Sequence, residues 1–365
     1  MKVIILGAGA SKDCIRELYP TTAKTLGIDI SEVHKHPWVP PLGNELFSTR
    51  ETFRSIISAY EGADAFTSEA ASINDLEEYL DEIQNTVDKT GDDIFWGRLI
   101  HTQYYLQHLL YEVSEQFHRS GINNYETLID IAYKYAIDNN DEVYFISFNY
   151  DFLLEKAFER KILKRKINSI DDYIGHRKIK IIKPHGSSNW GRRIKKITRK
   201  SNSDPTLHKQ LYAFPSIMKE EKSSFEYDSD IEITHYSQLD KLSKVKKGYI
   251  HYIPQIILPL KTKSDFIIPE SHKSILEDSL KRANKILTIG WKSGERKFLQ
   301  QMRETLNANN VSITVVDPNA DAVSKDLATH SGVLESSIIP VKQTFSIYTN
   351  KLLRNTDATW NIFFK

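Results

Sequence analysis

Four apolar runs, each ending abruptly in a small cluster of glycine and polar residues, constrain the fold of this chain more than any other feature. Val3-Ile4-Ile5-Leu6 runs into Gly7-Ala8-Gly9-Ala10-Ser11, and Phe145-Ile146-Ser147-Phe148 into Asn149-Tyr150-Asp151. Ile181-Ile182 runs into Lys183-Pro184-His185-Gly186-Ser187, and the run ending at Ile289 into Gly290 through Ser293. Short apolar runs bounded by turn residues are the pattern of strands buried on both faces of a parallel sheet. In such a sheet ligands bind outside the carboxyl ends of the strands, so residues scattered through the sequence converge on one crevice. A glycine turn, an Asn, an Asp and a His can then line one dinucleotide pocket.

The 365 residues, 40% of them hydrophobic and 11% aromatic, suffice for a sizeable core in one large domain with insertions or in two domains. Lys and Arg total 49 against 48 Asp and Glu, and the net charge of +1 removes any global electrostatic argument for a nucleic-acid or membrane partner. The single cysteine, Cys14, excludes an internal disulfide and a cysteine-rich zinc ribbon, while His and carboxylate sites stay open. A lone thiol fits a reducing compartment. The N-terminus has the outline of a signal peptide, but its apolar stretch is short and its glycines come early, so it reads as a first buried strand. No run reaches the roughly 18 apolar residues of a spanning helix, and a soluble, cytoplasmic protein is expected.

Further strands are expected at 143–148, 178–182, 285–289 and 312–316, with 255–258 and 337–341 as additional candidates, giving six or seven in all. Helical spacing marks Ser72 to Val87 through Ile73, Leu76, Tyr79, Leu80 and Ile83. The longest helix is expected behind Asp92 and Asp93, running through Leu99, Leu106, Leu110, Val113 and Phe117 to Gly121. The fold class that follows is α/β, a Rossmann-like parallel sheet with helices on both faces, formed by residues 1–44 and 139–365. Residues 45–138 form a helical insertion. Residues 191–252 form a small charged insertion after the His185 loop, opening with the basic run Arg192 to Lys200 and later carrying Glu226, Asp228, Asp230 and Glu232. A module of hairpins is preferred there to a nucleic-acid surface.

The dinucleotide fingerprint is incomplete, because Lys12 stands where its third glycine belongs and His36 to Asn44 has a loop composition. Each cluster still has a chemical rationale. The Gly7-Ala8-Gly9 turn would let backbone amides approach a pyrophosphate, and Ser11 would donate a hydroxyl at the start of the next helix; a plain tight turn is the structural alternative. Asn149, directly at a strand end, can bond a ribose hydroxyl or hold water against an anomeric carbon. Asp151 stands where a helix begins and would serve equally as its N-cap. His185, between Pro184 and Gly186, is presented as a general base or ribose ligand. Gly290 and Ser293 offer another close backbone approach, and Asp317-Pro318-Asn319 a carboxylate for a ribose or adenine edge.

Taken in order, these motifs resemble the sirtuin-like domain, the silent-information-regulator type of NAD-consuming Rossmann fold, over nearly the whole chain. The phrases Pro40 to Leu46 and Ile73 to Leu80 are similar to the helical insertion of its bacterial antiphage-defence branch. The four-cysteine zinc module of deacetylating sirtuins has no counterpart, since Cys14 is alone. The resemblance implies NAD as substrate, hydrolysed to nicotinamide and ADP-ribose without a metal. Asn149 and His185 match the catalytic pair, and Asp151 contributes negative charge. Cofactor contacts fall to Gly7, Ala8, Gly9, Ser11, Gly290, Ser293, Asp317 and Asn319. An antiphage effector that depletes NAD would be gated by homo-oligomerisation or by a partner such as a hexameric HerA-type ATPase, with nucleic acid involved only indirectly. The alternatives are an NAD-dependent protein deacylase and a non-catalytic NAD or ADP-ribose sensor.

Overall fold

The computed structural model describes residues 1–14, 37–48, 50–60, 63–64, 76–90, 93–119, 123–194, 227–234, 251–259, 266–308, 310–354 and 363–364. In chain order its main elements begin with β1 (Lys2–Leu6), α1 (Ala8–Lys12), α2 (Glu51–Ile57), α3 (Leu76–Thr90), α4 (Asp93–Arg119) and α5 (Asn124–Asp138). They continue with β2 (Val143–Ser147), α6 (Leu153–Phe158), β3 (Ile179–Ile182), β4 (Gly186–Ile194), β5 (Tyr227–Ile233), β6 (His251–Ile256) and α7 (Glu270–Arg282). The last are β7 (Lys285–Ile289), α8 (Arg296–Thr305), β8 (Ser312–Val316), α9 (Ala320–Ser331), β9 (Ile338–Val341) and α10 (Phe345–Arg354). Ile73 to Asp75, Asp92, Gly121, Lys195 to Lys200 and Glu226, all used in the sequence reading, lie outside the described residues.

The chain divides into two compact units. The first comprises Met1–Leu42, Val113–His185 and Lys263–Lys365, and the second Gly43–Glu112 and Gly186–Thr262. The first unit is built on a six-stranded parallel sheet in the order β3-β2-β1-β7-β8-β9. Every residue of β1 and of β2 is buried, which is why these strands, Lys2 and Ser147 apart, read as apolar runs rather than alternating ones. After β1 the chain adds β2 and β3 on one side, then returns to the other side of β1 for β7. That reversal is the switch point of a doubly wound sheet. Helices cover both faces. Ile5, Ile146, Leu276, Leu280, Ile286, Phe298, Met302, Ile313 and Leu327 share one core cluster, each such side chain contributing roughly 1.5–3 kcal/mol by leaving water.

β7 and β8 have the expected bounds, and the 337–341 candidate supplies the edge strand β9. The 255–258 candidate does not join this sheet. It overlaps the end of β6, which lies in the antiparallel sheet β5-β4-β6 of the second unit. The outward carbonyls of that edge strand are satisfied by one face of α4: Tyr104 Oη donates to Tyr252 O (2.7 Å), and Gln103 Nε2 to Pro254 O (3.2 Å) and Ile256 O (2.9 Å). A sheet edge left open would be a template for pairing with other chains, and side-chain donors close this one. Arg193, from the basic run, pairs with Glu232 across β4 and β5 at 2.7 Å. No helix among the described residues is long and apolar enough to cross a membrane.

Candidate functional site

Parallel register brings Leu6, Ser147, Ile289 and Val316 to one edge of the first unit. Two glycine turns are pressed together there. The Gly7 N–H donates to Ile289 O (3.1 Å), the Gly9 N–H to Gly290 O (3.1 Å), and the Gly290 N–H to Val316 O (3.0 Å). A Cβ on Gly7 would stand 2.5 Å from Gly290 O, and one on Gly290, where φ is +57°, only 2.3 Å from the Ala10 nitrogen. The expectation of open Gly7 and Gly9 amides is therefore corrected: both are engaged by the end of β7, and glycine is required because two backbones meet. Ala8 between them is exposed. Just past Lys12, Asp13 Oδ2 accepts from Ser346 N (2.7 Å) and Oγ (2.8 Å), capping α10.

Beside this seam the polar residues form a buried network. Ser11 Oγ is 2.8 Å from Tyr125 Oη, and Asn149 Nδ2 donates to Ser11 Oγ (2.9 Å) and Tyr125 Oη (3.2 Å). The Ser11 hydroxyl favours the charged form of the neighbouring Asp151 carboxylate, whose Oδ1 accepts from Leu153 N at 3.2 Å at the start of α6. The cap position itself belongs to Phe152. Lys183 Nζ donates to the Asp151 carbonyl (2.5 Å) and to Glu155 Oε1 (2.7 Å), and Tyr173 Oη donates to the same Glu155 oxygen (3.3 Å). Lys183 and Glu155 side chains are 0% and 2% exposed. Burial pushes the Asp151 and Glu155 carboxyls up, with the Lys183 cation opposing it, and burial raises the Tyr125 hydroxyl.

Asn149 Oδ1 is buried without a hydrogen-bond partner. Turning the amide over would pair the oxygen and strand the nitrogen, so one polar end is left over either way. An orphaned buried polar atom costs about 1–3 kcal/mol and is rare enough in folded proteins to call for a cause.

His185 is buried in an aromatic row. Its ring lies 4.9 Å from Phe148, edge-on at 61°, and 6.0 Å from Tyr150, near-parallel at 27°. Phe148 in turn stacks on Trp291 at 5.6 Å and 11°. Phe148 and Tyr150 flank Asn149 in sequence, so one tripeptide sends its amide into the Ser11 network and two rings onto His185. The Pro184 carbonyl accepts from Ile267 N at 2.9 Å and pins the loop.

On the β7 and β8 side the expected residues have local partners. Ser293, at φ +56°, donates to Asp326 Oδ2 (2.7 Å), which also receives Arg296 (3.0 Å). Asp317 Oδ1 accepts from Asn319 N (2.8 Å) just ahead of α9, and the Asn319 side chain is exposed. The structure thus brings Ser11, Asn149 and Asp151 into one network, sets His185 beside it through Phe148 and Tyr150, and leaves Ser293, Asp317 and Asn319 in separate contacts. Tyr125, Glu155 and Lys183 were not among the expected site residues. Glu155, one helical turn after Asp151, and Lys183, a charge directly after a buried strand, carry a readable signal; Tyr125 carries none. Among the described residues no group of three or more His, Cys, Asp or Glu side chains could hold a metal ion.

No family model matches the chain, and no curated protein matches it. Among solved structures it is similar to a Sir2 homologue in complex with NAD, at 11% identity over 97% of this chain and 88% of that chain, with a TM-score of 0.41. A mutant Sir2 homologue in complex with 2′-O-acetyl ADP ribose is similar at 11% identity over 98% of this chain and 92% of that one, TM-score 0.41. An ADP-ribose complex of another Sir2 homologue mutant gives 11%, 97%, 90% and 0.38. Likeness of this size assigns neither family nor activity.

Proposed function

We propose that the chain binds NAD across the carboxyl edge of its parallel sheet and hydrolyses the nicotinamide–ribose bond. The observation that carries this reading is the Asn149 amide, anchored at one end by Ser11 and Tyr125 and unpartnered at the other while buried at the switch point. A ribose hydroxyl or a water molecule on the anomeric face would complete it. In the proposed reaction the bond from C1′ to the pyridinium nitrogen breaks, and its electron pair leaves with nicotinamide, which departs neutral and needs no general acid. Positive charge spreads over the ribose as it departs. Asp151 would supply opposing negative charge, and Asn149 would orient the incoming water. Oxygen of that water bonds to C1′ and its proton passes to His185 and then to solvent, leaving ADP-ribose. With the Gly7, Gly9 and Gly290 amides engaged in the seam, Ala8, Ser11, Ser293, Asp317 and Asn319 are the proposed contacts for the rest of the dinucleotide, and the three glycines would shape the turns beside it.

Chromatographic detection of free nicotinamide tests the reading. His185→Ala would open a cavity between Phe148 and Tyr150, so Asn149→Asp and His185→Gln are the cleaner variants; each should reduce release by roughly 100-fold. Release unchanged in both would remove these residues from the chemistry, and strict dependence on an acetyl-lysine peptide would make the protein a deacylase. We further read the activity as a cytoplasmic antiphage effector that depletes NAD, gated by other copies of the chain or by a HerA-type ATPase. A stable monomer that is fully active alone and harmless on expression would overturn that gating.

A further inference from the structure

We propose that Lys183 is a positioning residue, holding the Asn149 and His185 loops in fixed relation through the Asp151 carbonyl, and that this role is separable from its ion pair with Glu155. The inference rests on the reading of Asn149 and His185 as the reacting pair. Lys183 leaves the end of β3 two residues before His185, and the carbonyl it binds lies two residues after Asn149. One ammonium therefore ties together the two strand-end loops that carry the proposed chemistry. Glu155 stands in the first turn of α6 and receives a second bond from the same Nζ.

A buried ion pair is weak evidence of a stabilising role, because well-packed apolar replacements of similar volume are often neutral or better. What an apolar side chain cannot replace is the directional donor to the Asp151 carbonyl. Glu155 makes that donor tolerable: it offsets the charge that full burial of an ammonium would otherwise leave uncompensated. The aromatic row fixes the same two loops against sideways displacement, with Tyr150 and Phe148 both on His185. Lys183 adds the bond that runs between their backbones.

The distinction is testable because the cluster's formal charge can be kept. Lys183→Met alone leaves two buried carboxylates without their cation, and its unfolding midpoint should fall sharply. Lys183→Met combined with Glu155→Gln removes one charge of each sign and so keeps the cluster's formal charge, with Asp151 losing the Lys183 cation and the Glu155 anion together. We expect its midpoint to return to within about 3 °C of the wild type, while nicotinamide release stays roughly 100-fold lower, the size of loss that a small misplacement causes. Amide hydrogen exchange should quicken in peptides covering residues 149–153 and 183–187 but not in those covering β8. Glu155→Gln alone retains the donor to the carbonyl and should keep release within about threefold.

Recovery of both release and exchange protection in the double variant would reduce Lys183 to half of an ion pair and overturn the proposal. A loss in Glu155→Gln as large as in the double variant would overturn it too, and that measurement stands even if the double variant does not fold. Should the wild type release no nicotinamide, the functional reading fails by itself. The exchange experiment would still decide whether Lys183 holds the two loops.

Discussion

On the β1, β2 and β3 side of the switch point, polar side chains bond to one another inside the protein and across long stretches of chain. Asn149 reaches Ser11 and Tyr125, and Lys183 reaches Asp151 and Glu155. On the β7 and β8 side the polar residues of the same edge are engaged in a turn and nearer the surface: Asp317 bonds an N–H two residues on, and Ser293 joins a half-exposed pair of Asp326 and Arg296. Buried networks are strong when complete and costly when incomplete, whereas caps and surface pairs are individually modest. The first side leaves the Asn149 amide open at the switch point itself, whereas the open amide oxygens of the other side, on Gln301 and Gln343, lie within the helix after β7 and past the edge strand β9. Position at a carboxyl edge is shared by both halves, so the difference lies in what each half does with its polar groups: one prepares an arrangement, the other terminates helices.

The two halves meet at the Gly7, Gly9 and Gly290 seam, and forcing it apart should produce the largest effect. Gly290→Ala would put a methyl 2.3 Å from the Ala10 nitrogen at a φ of +57°, and we expect a loss of about 3 kcal/mol or more in urea unfolding. Gly294→Ala, with nothing within 4 Å of the new carbon, should stay within about 0.5 kcal/mol. Equal costs would mean that the seam is not a close backbone contact. The next contrast is in activity. Asn149→Asp should reduce kcat for nicotinamide release by roughly 100-fold, while Asp317→Asn, which keeps an oxygen acceptor for the Asn319 N–H but alters a proposed dinucleotide contact, should raise KM and leave kcat within about threefold. Equal losses would erase the distinction between the halves. Tyr125→Phe leaves Ser11 and Asn149 one partner short and should cost about 1 kcal/mol of stability, read from the same unfolding curves.

The edge itself was legible in the sequence. Near-continuous apolar runs such as Ile286 to Ile289 and Ile313 to Val316, each broken by a single threonine, mark buried parallel strands, and parallel strands put their following loops on one side. Asn149, Asp151 and His185 could be placed there for that reason alone. The partners of Asn149 could not. Tyr125 sits on a helix whose apolar spacing marks a buried face without saying which hydroxyl it brings to Ser11, 114 positions away. The glycines were misread in purpose rather than in place, because the fingerprint logic leaves their amides open and the turn that occupies them comes much later in the chain. Gln255 to Leu258 is expected as a strand and overlaps the end of one, but its sheet was not legible, because an apolar run reads alike in a parallel sheet and at an antiparallel edge, and its partner β4 decides.

The smallest expected effect is a difference of sign with pH. Burial raises the Glu155 carboxyl above its usual value of 4.5, Lys183 opposing, so the folded state binds more protons there than the unfolded chain. That contribution to stability is fully present below 4.5 and is lost as pH rises through the raised value. Across the switch point, burial would raise Asp326, but hydrogen bonds from Arg296 and Ser293 outweigh it and hold the carboxyl below its usual 3.8. There the unfolded chain binds more protons, and the contribution is present above 3.8 and lost as pH falls through the lowered value. Unfolding free energies measured between about pH 3 and 7 for the wild type, Glu155→Gln and Asp326→Asn separate the two. Gln stands in for the protonated carboxyl, so Glu155→Gln should match the wild type at the acidic end and gain on it as pH rises. The gap to Asp326→Asn should be widest near neutrality and close on acidification, with a smaller amplitude because that pair faces solvent. Parallel trends in the two variants would mean that both carboxylates sit in the same kind of environment, and the contrast between the two halves of the edge would fall.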